Sequence, residues 1–262
     1  MKKAILVCSV GLFLNGLSPI TTSAEENALT VVVGGAINYK KLEFAIGNST
    51  FNPNLTTFDL SLTGAYKGVY ASINYDESIK DAYIYDYSSS GQDDTIMIMS
   101  RRDSGFTLGY AFSNSLSLFG GYLDGATEVW RPANYTAIVN SEPDRFNIRA
   151  EINMKGPFAG IGYSLPVGER SSLSANIAYA DMEGDFIFDE GATQGKISGD
   201  TTGFSYGINL TGPVVESMVY RVGFKVNRYK FEDTDYDAST GGDDFTHDQN
   251  YTIFYVGLSN YF

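Results

Sequence analysis

The 262-residue chain contains little cysteine, little histidine and little positive charge. Its single cysteine, Cys8, lies in an N-terminal leader, so the mature chain can form neither a disulfide nor a reactive thiol. Lys and Arg number 18 against 31 Asp and Glu. A chain this acidic lacks the cationic surface that phosphates need, which excludes nucleic acid as a partner. Beyond the leader, no stretch approaches the roughly 20 apolar residues of a membrane-spanning helix.

The first 24 residues predict a secretory signal peptide. Lys2 and Lys3 precede an apolar run that ends near Leu17, and the small residues Thr22-Ser23-Ala24 offer a cleavage site. We therefore divide the chain into a leader, residues 1–24, and one mature domain, residues 25–262. Removing the leader's two lysines leaves 16 basic and 31 acidic residues, a net charge of −15.

The mature domain is rich in glycine and aromatic residues, and its apolar residues recur at every second position. Phe58, Leu60 and Leu62, for example, alternate with Asp59 and Ser61. This is the period of a β-strand, whose successive side chains point to opposite faces. The pattern predicts an all-β domain of ten strands, at residues 29–46, 55–66, 69–85, 95–112, 116–130, 145–165, 173–188, 196–210, 218–231 and 250–262.

The connections between these strands alternate strictly between short turns and long polar loops. This arrangement predicts an up-and-down antiparallel meander with both chain ends at the short-turn end. Soluble and transmembrane barrels share the apolar alternation, but an exported chain with an even number of long strands and aromatic strand ends favours a transmembrane β-barrel. In the sixth strand the apolar parity changes near Gly156-Pro157, which predicts a β-bulge.

The last strand resembles that of Gram-negative outer-membrane β-barrel proteins. Its matching residues lie at alternate positions and end on phenylalanine: Phe254, Val256, Leu258 and Phe262. Asn260 departs from the pattern, where an aromatic residue is common. The resemblance implies that this strand closes the barrel and is recognised by the barrel-assembly machinery. It also implies a monomer in the cell outer membrane, in contact with outer-membrane lipid and lipopolysaccharide.

Charged residues on the polar face of the strands predict a network inside the barrel. The predicted lumen set is Asp59, Asp76, Arg149, Glu151, Lys155, Arg221 and Lys225. Charges in a confined lumen are costly unless they are paired or hydrated. We therefore expect these four cations and three acids to interact across the lumen and to leave at most a narrow path.

Basic residues near the long-loop ends of the strands have two interpretations. They are Lys40, Lys41, Arg101, Arg102, Arg228 and Lys230. They form either a collar that pairs with lipopolysaccharide phosphates or merely the solubilising ends of strands.

The long loop before the last strand carries the only candidates for metal binding. Asp233, Asp235 and Asp237 have the spacing that begins a calcium loop, but Ala238 and Asp244 depart from it at the sixth and twelfth positions. A hydrated acidic loop is the alternative, and weak divalent-cation binding stays open.

Catalysis is not indicated by the residues available. His247, with Asp244 or Asp248 and with Asp93-Asp94, resembles the acid-histidine sites of ten-stranded surface proteases, but the spacing differs. We predict no catalytic residue and no cofactor. Two functions remain: a non-enzymatic surface protein acting through its loops in adhesion, as a receptor or structurally, with a filled lumen, or a narrow porin-like channel for small solutes.

Overall fold

The computed structural model describes residues 28–46, 49–86, 95–113, 115–132, 146–168, 170–189, 194–233 and 246–262. The predicted leader lies outside these residues. The described residues contain twelve strand segments: β1 (Thr30–Ile46), β2 (Ser49–Phe51), β3 (Asn54–Tyr66), β4 (Val69–Lys80), β5 (Ala82–Asp86), β6 (Thr95–Ala111), β7 (Leu116–Pro132), β8 (Phe146–Val167), β9 (Ser171–Asp189), β10 (Gln194–Val215), β11 (Met218–Asp233) and β12 (Thr246–Tyr261). Within this part of the chain, no helix is long and apolar enough to cross a membrane.

The segments form one closed antiparallel barrel of ten strands, as the sequence predicts. Segments β2 and β3 are one strand interrupted at Asn52-Pro53, and β4 and β5 are one strand interrupted at Asp81. A proline has no amide hydrogen to donate to the ladder, which accounts for the first break. Strands β1 and β12 pair from Val32↔Tyr261 to Ile46↔His247, and this pairing closes the barrel. A closed barrel has no exposed strand edge.

The short connections have the chemistry that tight hairpins require. Lys67 and Gly68 form a two-residue turn, and both have positive φ angles of 49° and 83°. A turn of this kind matches the right-handed twist of the flanking strands, and glycine adopts it without strain. A Cβ atom on Gly68 would also lie only 2.9 Å from the carbonyl oxygen of Ala111.

An exposed apolar belt surrounds the barrel next to the short turns. Each strand contributes outward side chains that are about half exposed; they include Ile37, Leu60, Ile73, Leu108, Leu118, Ile161, Ile177, Ile208, Val222 and Val256. Aromatic residues lie near both borders of the belt, among them Tyr66, Tyr110 and Tyr163 on the short-turn side and Tyr39, Tyr75 and Tyr179 on the other. An outward apolar band between aromatic girdles is the surface of a transmembrane barrel.

The predicted bulge at Gly156-Pro157 is absent. The register between β7 and β8 runs without a shift through Leu123↔Gly156 and Tyr122↔Pro157. Met154 and Phe158 are both buried inside the barrel, while Ile161 and Tyr163 both face outward. The backbone parity is therefore constant, and the predicted bulge was wrong. The apolar residues of β8 lie on the inner face as far as Phe158 and on the outer face from Ile161, because the outer surface of the barrel changes from polar to apolar along the strand.

Above the belt, the two faces of the barrel exchange their chemistry. Outward positions become charged, as at Lys41, Arg102, Lys155, Asp181 and Arg228. Inward positions become apolar, and the side chains of Leu42, Leu55, Met99, Met154 and Met182 are at most 3% exposed. Burying apolar side chains away from water stabilises this tier as it would a soluble barrel. The upper part of the barrel thus projects beyond the belt with a hydrophobic core of its own.

Candidate functional site: a charged layer across the lumen

Three aspartates lie side by side in the lumen at the level of the belt's upper border. Strand register places Asp59 opposite Asp76 and Asp76 opposite Asp103, on three neighbouring strands. All three are buried, with Asp59 and Asp103 at 0% exposure. Like charges directly opposite each other destabilise a sheet unless cations separate them.

Lys40 and Arg101 supply positive charge to this row. The Nζ atom of Lys40 lies 2.5 Å from Oδ1 of Asp76 and 3.0 Å from Oδ2 of Asp103. The Arg101 guanidinium contacts Asp103 in two places, with Nη2 at 2.6 Å from Oδ1 and Nε at 2.9 Å from Oδ2. Two-point contact between a guanidinium and a carboxylate is among the stronger protein hydrogen-bond arrangements. Lys40 therefore bridges Asp76 and Asp103, and Arg101 pairs with Asp103 at the end of the row.

The network continues across the lumen to the closing strand. Arg101 Nη1 donates hydrogen bonds to Thr127 Oγ1 at 2.6 Å and to the Tyr251 hydroxyl oxygen at 2.5 Å. Its guanidinium also lies 4.4 Å from the centre of the Tyr251 ring, and that tyrosine donates to Gln249. Strands β6 and β12 are separated around the wall by three spanning strands, so this contact crosses the interior.

Smaller polar side chains complete the shell around Asp76. Its Oδ2 accepts a hydrogen bond from the Thr57 hydroxyl at 2.8 Å and another from the Asn38 amide. Asn38 also donates to Thr57 Oγ1 at 3.2 Å. Buried carboxylates need such donors because their desolvation is otherwise uncompensated.

Arg221 and Lys225 form the lower and opposite side of the layer. Arg221 is 0% exposed and interacts electrostatically with Asp59, while Lys225 is 6% exposed. The guanidinium fits because Gly34 has no side chain: a Cβ there would lie 3.0 Å from Arg221 Nη2 and 2.8 Å from the hydroxyl oxygens of Ser61 and Ser259. The charged layer thus contains four cations and three acids and is defined by Lys40, Arg101, Arg221, Lys225, Asp59, Asp76 and Asp103.

Gly34→Ala should destabilise the barrel by about 1–3 kcal/mol, because the added methyl group forces the surrounding side chains to shift. Gly64→Ala is the matched control on the next strand, since its Cβ would have no atom within 4 Å. Urea unfolding of both variants in the same detergent measures the difference. Equal stability of the two variants would contradict the tight fit around Arg221.

The composition of the charged layer corrects the predicted lumen set. Asp59, Asp76, Arg221 and Lys225 lie in the lumen. Arg149, Glu151 and Lys155 instead lie on the outer surface, where Arg149 Nη2 is 3.3 Å from Glu128. They share the parity of outward Ile161 because β8 has no bulge. Polar residues mark the lumen only within the belt, and these three lie above it.

The same reasoning corrects two members of the predicted collar. Lys40 and Arg101 are 3% and 2% exposed and lie inside the barrel, whereas Lys41, Arg102, Arg228 and Lys230 are exposed on its outer surface. Two consecutive residues of a strand must point to opposite faces. Each of the pairs Lys40-Lys41 and Arg101-Arg102 must therefore place one cation inside the barrel, and this is the signal in the sequence that points to additional lumen residues. Asp103 lies two positions after Arg101 and so faces the same side.

The other predicted sites are only partly covered by the described residues. Phe254, Val256, Leu258 and Phe262 face outward and are 51–73% exposed, which places them on the belt. Their recognition by the assembly machinery stays a prediction. Asp93, Asp94, Asp235, Asp237 and Asp244 lie outside the described residues, as does the side chain of His247. Among the described residues, no cluster of three or more acidic, histidine or cysteine side chains could hold a metal ion.

Known proteins resemble this chain in fold but not in sequence. No protein-family model and no curated protein sequence matches it. Among solved structures, the outer membrane protease OmpT from Escherichia coli has a TM-score of 0.61 at 11% identity, covering 89% of this chain and 96% of OmpT. The attachment invasion locus protein Ail of Yersinia pestis has a TM-score of 0.40 at 12% identity, covering 88% of this chain and 99% of Ail. The β domain of the Bordetella autotransporter BrkA has a TM-score of 0.47 at 10% identity, with coverage of 88% and 99%. The fold is that of outer-membrane β-barrels, and a fold by itself does not assign a function.

Proposed function

We propose that the protein is a monomeric, non-enzymatic outer-membrane barrel with a closed lumen, which acts through its loop-bearing end in adhesion, as a receptor or as a structural element. The observation that carries this proposal is the double filling of the interior. The charged layer crosses the lumen at the upper border of the belt, and the apolar core of Leu42, Leu55, Met99, Met154 and Met182 lies above it. A path for solutes would have to cross both the charged layer and this apolar core.

A narrow channel remains the second candidate, and one feature favours it. The wall opposite the acidic row carries small inward residues, including Ala178, Ser205 and Gly207. Small residues leave room if a long side chain such as Arg221 swings aside. Ten strands also lie just above the eight whose interior side chains fill completely. Conductance measurement separates the two candidates, as argued in the Discussion.

The proposal requires the long connections to face the cell exterior. Lys80 lies at the long-connection end of β4 and Lys67 in the tight turn before it, and both are exposed. Because Cys8 belongs to the predicted leader, Lys80→Cys and Lys67→Cys each provide the mature chain with a single thiol. A membrane-impermeant maleimide added to intact cells should label Lys80→Cys and leave Lys67→Cys unlabelled. The reverse pattern would place the upper tier in the periplasm and refute a role at the cell surface.

A further inference from the structure

A groove lies on the outer surface of the barrel where the apolar belt meets the charged upper tier. It spans strands β9 to β12 and reaches β1, with a volume of about 590 Å³. Ligand sites typically fall between about 300 and 1,000 Å³. The lining residues are Glu43, Tyr179, Thr202, Gly203, Phe204, Val226, Arg228, Tyr229, Lys230, Asp248, Asn250 and Thr252.

The floor of the groove is continuous with the lipid-facing surface. Tyr179 and Phe204 pack against each other with ring centroids 5.1 Å apart, and Val226 extends the same apolar face. Thr202 and Asn250 line the charged side of the groove, opposite Lys230 and Arg228 in the strand register. An occupant therefore meets apolar side chains at one end and polar side chains at the other, which suits a lipid at its headgroup.

The charged lining is mixed, and this selects among headgroups. Lys230 pairs with Glu232, whereas no ion pair of Arg228 is found among the residues that the structure describes. Strand register then places Asn250 beside Arg228 and Glu43 beyond Asn250, with Asp248 opposite Lys230. The groove thus offers the Arg228 guanidinium and the Lys230 ammonium group next to two carboxylates, an amide and the hydroxyl groups of two threonines.

This combination fits a phosphorylated sugar better than a phosphate alone. Guanidinium groups bind phosphate through charge-assisted hydrogen bonds. Glu43 and Asp248 would repel a headgroup that carried only negative charge, but their oxygens accept hydrogen bonds from sugar hydroxyl groups. Acyl chains attached to that sugar would continue over Phe204 and Val226. We propose that this groove binds the phosphorylated sugar headgroup of one lipopolysaccharide molecule, with Arg228 holding a phosphate; the proposal rests on the orientation given above.

Native mass spectrometry of the full mature protein in detergent, titrated with diphosphoryl lipid A, tests this assignment. We expect tighter retention of diphosphoryl lipid A than of its dephosphorylated form, phosphatidylglycerol or phosphatidylethanolamine. Arg228→Gln should weaken retention about tenfold, the effect of losing one charge-assisted contact. Arg102→Gln is the matched control, because Arg102 is an outward arginine of the upper tier on β6 and does not line the groove. It should change retention less than twofold.

Other results would overturn the proposal. Equal losses for Arg228→Gln and Arg102→Gln would indicate a diffuse collar rather than a site. Preference for phosphatidylethanolamine would assign the mixed charges to a zwitterionic headgroup. Preference for phosphatidylglycerol would show that the carboxylates do not accept hydrogen bonds from sugar hydroxyl groups. Tighter retention of diphosphoryl lipid A by the Glu43→Gln variant would show the same. None of these outcomes affects conductance or thiol labelling, so failure here is distinguishable from failure of the proposed function.

Discussion

Asp103→Asn is expected to lower the free energy of unfolding by about 3–5 kcal/mol, the usual effect of removing one partner of a buried ion pair. Asp103 is 0% exposed and neutralises both Lys40, at 3.0 Å, and Arg101, at 2.6 Å. An amide of the same shape leaves two buried cations without that charge. The fluorescence of Trp130, the only tryptophan, followed during urea unfolding in detergent, measures the change.

Asp181→Asn provides the control for this experiment, because Asp181 is an exposed aspartate on the outer surface of β9. Exposed substitutions of this kind usually change stability by no more than about 0.5 kcal/mol. Adding Arg101→Met to Asp103→Asn should recover part of the loss, because Arg101 pairs with Asp103 and its buried charge is left uncompensated in the single variant. A loss no larger than that of Asp181→Asn would mean that the charged layer does not stabilise the barrel.

Purified protein in planar bilayers is expected to show no stable porin-like conductance, whereas the double variant Arg101→Ala, Arg221→Ala should show small discrete steps. These two arginines are 2% and 0% exposed, and they occupy opposite sides of the charged layer. Truncating both removes the two largest charged side chains of the layer and leaves hydrated space beside the small residues of β9 and β10.

Arg149→Ala controls for the loss of an arginine, since Arg149 lies on the outer surface, and it should leave the bilayers silent. Heat-modifiable migration on a gel should confirm that each variant is folded before its conductance is compared. Large, stable steps in the unmodified protein would contradict the closed lumen and make the channel the better assignment. Silence of a folded double variant would show that the apolar upper tier alone seals the barrel.

The strand arrangement was predictable from the sequence because it depends on local chemistry. Alternation with period two located all ten strands, and the Lys67-Gly68 turn occupies the predicted gap between the strands that end at residue 66 and begin at residue 69. The sequence resolved the strand ends less well: β10 continues to Val215, five residues beyond the predicted end, because Pro213 is accommodated at a register irregularity near the turn.

The members of the charged layer were less predictable, because alternation does not show where a strand leaves the membrane. Arg149 and Lys155 are polar residues in an alternating pattern, as Asp59 is, yet their surroundings are water rather than lumen. The positions of Lys40 and Arg101 near strand ends predict outward side chains, yet both lie inside the barrel. The sequence does not show where along a strand the inner face becomes apolar and the outer face charged. The residues around Lys40 and Lys41 therefore do not tell which of the two points inward.

The sequence by itself determined the strands, their order, and the outward apolar belt, since each depends on neighbours a few residues apart. Only the tertiary structure decided which charges meet. Lys40 and Asp103 are 63 positions apart, and Arg101 and Tyr251 are 150 apart. Their contacts depend on barrel closure and on the relative heights of strands, and these are set jointly by the registers of all the strands.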